Sequence, residues 1–160
     1  MIAAASFLLL AATAANAGPG HSGDHHEMAV GKPGDASHVD RTVEIRMFET
    51  EDGEMLFEPS SLEVRRGETI RFTLANDGEV EHEFVLDDPA KNQEHKELMQ
   101  RFPEMEHDDP NAIRLEPGHR GEIVWTFTNA GTFEFACLIP GHYESGMHAA
   151  VQVSGPRLTN

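Results

Sequence analysis

The chain has 160 residues, 39% of them hydrophobic and 25% charged, which suits one folded domain with a real core. Its formal charge is -16, and no stretch gathers its 12 Lys and Arg into a basic stripe, so nucleic acid is excluded as a partner. The lone cysteine, Cys137, excludes an intramolecular disulfide.

Residues 1–17 predict a secretory signal peptide. Ile2 to Ala15 is almost wholly apolar, and Ala15-Asn16-Ala17 is a small-x-small cleavage site, although no Lys or Arg precedes the run. The rival is a membrane anchor, but the run falls short of the ~20 apolar residues that a span needs. The mature protein is then expected to be soluble and periplasmic, with no membrane span. Residues 18–40 are rich in Gly, His, Asp and Pro and predict a disordered lead-in.

From Arg41 the pattern changes. Val43, Ile45 and Met47 alternate with Glu44 and Arg46, the period of a half-buried strand. Asp52-Gly53 marks a turn, Leu62–Val64 leads into Arg66-Gly67, and Ile70, Phe72 and Leu74 alternate again. Asn76-Asp77-Gly78 is another turn, after which His82, Phe84 and Leu86 share one face. Lys91 to Phe102 breaks the rhythm: Leu98, Met99 and Phe102 fit one helical face, and Pro103 stops the helix. Ile123, Trp125 and Phe127 restore the alternation, Phe133, Phe135 and Cys137 share a face, and residues 149–153 close the domain. About seven short strands with turns between them predict an all-β, antiparallel Greek-key β-sandwich with one short helical insertion over 41–154, then a tail over 155–160.

The chemistry concentrates in Cys137-Leu138-Ile139-Pro140-Gly141-His142-Tyr143-Glu144-Ser145-Gly146-Met147. A thiolate, an imidazole and a thioether follow one another with four residues between, in one tight loop, and His82 on another strand offers a second imidazole. Two His and one Cys with a weak axial Met is the donor set of an electron-transfer copper site. Thiolate and thioether suit Cu(I), and the imidazoles also tolerate Cu(II). A structural zinc site would want four Cys or His ligands, and Met is not among its usual donors.

These segments carry a resemblance. Glu81-His82-Glu83-Phe84-Val85, Gly121-Glu122-Ile123-Val124-Trp125, and the run Phe133 to His142 with Met147 resemble the cupredoxins, the type 1 blue copper proteins. The match is to the periplasmic, CopI-like cupredoxins of bacterial copper tolerance, whose insertion Met105-Glu106-His107-Asp108-Asp109-Pro110 also resembles. The resemblance runs from about Thr42 to Val153. It implies a cupredoxin domain with one type 1 copper, with His82, Cys137 and His142 as equatorial ligands and Met147 as the axial one. It also implies that the Glu83 N–H points at the Cys137 sulfur. The acids on both sides of His82 are expected to make the surface near the copper acidic.

The implied role is a monomeric electron carrier or copper handler, not an enzyme, with a redox or copper-handling partner protein in the periplasm. A metallochaperone and a partner-assisted Cu(I) oxidase stay open as alternatives. Two further groups are candidate accessory sites. His21, His25, His26 and Met28 read either as a weak second copper segment or as a solvated tail. Met105 and His107 sit in a polar loop and read as a soft Cu(I) site, whereas Met99 reads as packing.

Overall fold

A computed structural model describes residues 28–103 and 109–156. The elements run β1 (Lys32–Pro33), β2 (Arg41–Glu49), β3 (Met55–Glu58), β4 (Ser61–Arg66), β5 (Thr69–Asn76), β6 (His82–Asp87), α1 (Pro89–Arg101), β7 (Ala112–Leu115), β8 (Arg120–Thr126), β9 (Gly131–Ala136) and β10 (His148–Pro156). They form two five-stranded sheets, in the orders β1-β8-β5-β2-β3 and β4-β10-β9-β6-β7.

Alternation along each strand puts one apolar set between the sheets. Val43, Ile45 and Met47 of β2 join Ile70, Phe72 and Leu74 of β5 and Ile123 and Trp125 of β8 on one side. Phe84 and Leu86 of β6, Phe133 and Phe135 of β9, and Val151 and Val153 of β10 face them. Aromatic rings interlock across the middle: Phe84 stacks on Phe135 with centroids 5.2 Å apart, and Phe57 meets Phe135 edge-on at 5.1 Å.

The sheets are mixed, where an antiparallel sandwich is expected. β2 pairs with β5 and β4 with β10 in parallel. Period-2 alternation reports which face of a strand is buried and carries no information on the direction of its neighbour.

The lead-in also departs from expectation, because part of it belongs to the fold. Residues 28–40 are ordered against β5 and β8. Val30 is fully buried, and Lys32–Pro33 pairs with Trp125 and Thr126. The Trp125 indole N–H donates to the Val30 carbonyl at 3.3 Å, and Gly34 N–H donates to the Val124 carbonyl at 2.8 Å. Gly31 is required between them: its φ is +134°, and a Cβ there would run into the Thr126 carbonyl. A buried valine, a close-packed glycine and backbone pairing to β5 and β8 place a segment whose composition is polar. The signal-peptide segment 1–17 and the rest of the lead-in lie outside the described residues.

Helix α1 caps the outer face of β6 and β9. Asp88 caps it, its carboxylate accepting from Ala90 N–H and Lys91 N–H, and Pro89 opens the first turn. Its contact stripe is narrow. Asn92 and Met99 are buried, seven residues apart, and Met99 packs with Val85, Ala136 and Leu138. Leu98 and Phe102, expected beside Met99 on the buried face, are 41% and 57% exposed. The helix lies on a sheet that already has its core on the other side, so only two turns of one edge are covered.

Phe72→Ala is expected to cost about 3–5 kcal/mol in urea unfolding, because it empties the centre of the core. Leu98→Ser is expected to stay within about 0.5 kcal/mol. A Leu98 effect of core size would contradict the placement of the helix.

Candidate metal centre

The site lies at one end of the sandwich, where the second sheet frays into loops. His82 is the first residue of β6 and points inward with Phe84 and Leu86. Asn76 brings it there: its buried amide donates to the carbonyls of Val80 and Leu115, both at 2.8 Å, and its side-chain oxygen accepts from Gly78 N–H. The turn at Asn76-Asp77-Gly78 thus also sets the start of β6.

Cys137 follows the last residue of β9. The β9–β10 ladder continues one rung past its end, with Cys137 N–H donating to the Met147 carbonyl at 3.0 Å. Met147 N–H in turn donates to the His142 carbonyl at 3.1 Å, and His142 N–H to that of Ile139 at 3.0 Å. Gly141 and Gly146, at φ +92° and +102°, make the two left-handed turns that fold the loop back. The opposite sheet ties it down through Met55 N–H, which donates to the Ser145 carbonyl at 3.0 Å.

These constraints bring three donors together. His82 Nδ1 lies 3.3 Å from His142 Nδ1, and Cys137 Sγ lies 3.3 Å from the same His142 atom. Among the described residues, His82, Cys137 and His142 form a cluster whose donor atoms all lie within 4.8 Å of one another. His82 and Cys137 are fully buried, while His142 is half-buried. Met147 is fully buried in the same core cluster as Cys137.

The electrostatics suit a cation. Burial pushes the Cys137 thiol up to about 12, although the N–H groups of Glu83 and Ile139 pull the other way. The Glu83 N–H donates to the sulfur at 3.3 Å, as the resemblance implies. Burial also lowers the pKa of both histidines, and His82 lowers that of His142 further, while Glu49 opposes the shift at each. Burial thus favours the neutral form of both imidazoles, the form with a ring lone pair to give. A metal ion supplies the charge that a buried thiolate needs in order to replace the thiol. One sulfur and two imidazole nitrogens fit copper.

Three features around the donors carry no motif. Glu49 of β2 places a carboxylate oxygen 2.9 Å from His82 Nε2, a short contact but too bent for a well-aligned hydrogen bond. Burial pushes the Glu49 carboxyl up, but the N–H groups of Glu79 and Val80 and the nearby His82 outweigh it and hold it below its ordinary value. Helix α1 braces the loop from outside. Lys96 Nζ lies 2.9 Å from Glu144 Oε1 and 4.3 Å from the centroid of the Tyr143 ring. Tyr143 stacks on His148 at 4.4 Å and donates to Glu134, which also accepts from Asn92 of the helix. Finally, Glu83 does not add to an acidic surface. It is buried, with Arg114 spanning it at 3.9 Å and Glu81 at 3.7 Å. Of the two flanking acids, Glu81 is half-buried and Glu83 is buried.

Of the candidate accessory donors, Met28 is half-buried, bridges to Gly31 and packs against the core. It is therefore committed to packing instead of hanging free in a tail. Met99 is buried under the helix. His21, His25, His26, Met105 and His107 lie outside the described residues. No helix among the described residues is long and apolar enough to cross a membrane.

Comparison with known proteins agrees with this geometry. Residues 44–154 match the family described as copper binding proteins, plastocyanin/azurin family. The copper-resistant cuproprotein CopI of Rubrivivax gelatinosus is 50% identical over 139 residues, covering 85% of this chain and 82% of that protein. CopI of Pseudomonas aeruginosa is 38% identical over 151 residues, covering 76% and 81%. The fold is shared with reduced auracyanin from Roseiflexus castenholzii at a TM-score of 0.59 and 23% identity, over 73% of this chain and 99% of that one.

Lys96→Ala is expected to speed amide exchange over residues 141–146, with a global stability loss below about 1 kcal/mol. Unchanged exchange in that loop would show that the helix does not brace it.

Proposed function

The chain belongs to the plastocyanin/azurin family of copper-binding proteins, and from that premise we propose that it is a periplasmic electron carrier of bacterial copper tolerance, not an enzyme. The support for tolerance is its likeness to proteins described as copper-resistant cuproproteins. Support for export is the apolar run and small-x-small site of residues 1–17. A redox or copper-handling protein of the same compartment is the proposed partner.

The observation that carries the reading is the convergence of His82 Nδ1, His142 Nδ1 and Cys137 Sγ in a loop whose backbone is fixed by its own hydrogen bonds. Met147 is proposed as the weak axial donor, because it is buried in the same core cluster as Cys137 and paired with it through the backbone. Bound copper supplies a one-electron couple between Cu(I) and Cu(II). The protein's own residues do the rest. The two imidazoles present neutral nitrogens, the Glu83 N–H steadies the sulfur, and the surrounding core keeps water out. His142 is the half-buried donor, so its ring edge is the proposed route by which an electron reaches a partner.

One equivalent of Cu(II) added to the mature protein is expected to give a strong visible thiolate-to-copper band. Cys137→Ser is expected to abolish it. Met147→Leu is expected to keep the band and raise the reduction potential, since losing an electron-pair donor disfavours the more highly charged ion. A colourless adduct of the wild-type protein would overturn the reading, and an unchanged potential in Met147→Leu would remove Met147 from it.

A further inference from the structure

Glu49 is the last residue of β2, in the sheet opposite the one that carries the three donors. Its side chain is held from several sides. Oε2 accepts from Glu79 N–H at 2.9 Å and Oε1 from Val80 N–H at 3.2 Å. The segment 78–80 wraps so closely that a Cβ on Gly78 would run into the carboxylate. The carboxylate therefore has little freedom, and it is only 19% exposed. From this cradle Oε1 reaches to 2.9 Å from His82 Nε2.

The His82 ring is thus bracketed. Its Nδ1 faces Cys137 and His142, and its Nε2 faces an anchored anion. A metal-binding imidazole commonly donates its other N–H to such an acceptor, which sets the tautomer and raises the basicity of the ligating nitrogen. Among the described residues, Nε2 has no well-aligned hydrogen-bond acceptor, and the Glu49 carboxylate 2.9 Å away is the acceptor that a small turn of the ring would engage.

We infer that Glu49 is a positioning residue for the copper centre: its anchored carboxylate holds His82 with Nδ1 free for the metal and biases the site toward Cu(II). This rests on the copper reading above. A negative charge behind a buried ligand stabilises the more positive ion in a medium that screens it poorly. The reduction potential is therefore set in part by a residue from the opposite sheet.

The test compares the full-length copper-loaded protein with Glu49→Gln and with Glu51→Gln. Glu51 is an exposed acid in the same acidic cavity, so it controls for loss of charge without the contact. Glu49→Gln is expected to keep the thiolate-to-copper band and to raise the potential. A tenfold fall in the preference for Cu(II) over Cu(I) corresponds to about 59 mV for one electron. Glu51→Gln is expected to move the potential by a small fraction of that shift. In the diamagnetic Cu(I) form of the wild type, proton NMR is expected to show a slowly exchanging His82 Nε2–H, which Glu49→Gln makes fast. Equal shifts in the two variants, no shift in Glu49→Gln, or a wild-type Nε2–H in fast exchange with water would overturn the inference. The NMR measurement on the wild type decides the matter even if the variant fails to fold. The wild-type thiolate band reports on the copper reading alone, so failure of that reading is told apart from a missing Glu49 effect.

Discussion

A sulfur atom buried at the end of a β-sandwich is the constraint on which the site depends. Burial there pushes the Cys137 thiol up to about 12, so a thiolate is favoured when a cation takes the proton's place. A cation in the same setting needs donors already in position, because the burial of His82 and Cys137 limits access to its shell. The surrounding structure meets that need. β6 delivers His82, the turn at Gly141 delivers His142, and the Cys137–Met147 rung holds both ends of the loop. One N–H, from Glu83, is spent on the sulfur itself.

The rest of the molecule serves to keep these donors still. An electron carrier works best when its two oxidation states ask for the same geometry. The interlocked phenylalanines behind the site form a close-packed wall that does not yield easily. Contacts from outside complete the frame: Met55 from the opposite sheet, Lys96 from the helix, and Asn76 beneath the start of β6. The helical insertion thus has a structural role as a clamp on the ligand loop. Few of its own apolar residues are buried, because the clamp works through Asn92, Lys96 and Met99.

Much of this was legible in the sequence. The donors His82, Cys137 and His142 stand out because soft and imidazole ligands at loop spacing have few other uses, and strand alternation located the core face of β2, β5, β6, β8 and β9. What stayed hidden depends on contacts between distant segments. The parallel β2–β5 and β4–β10 pairs leave no trace in alternation. Val30 is one of the few apolar residues in a polar run, and its burial depends on Trp125, nearly a hundred residues on. Leu98 and Phe102 fit a helical stripe, but a stripe shows periodicity and not whether anything covers it. Glu49 looks like any surface acid at a strand end. Only the wrapping of residues 78–80 turns it toward His82. Glu83 misleads in the opposite way, since a charged residue beside a ligand suggests an exposed patch until Arg114 is seen beside it.

The most direct measurement is X-ray absorption at the copper edge on the loaded protein in both oxidation states. A preorganised centre predicts one short copper–sulfur and two copper–nitrogen distances that barely change between Cu(II) and Cu(I). Loss of the sulfur scatterer, or a change in the number of ligands on reduction, would contradict a site held rigid by the fold.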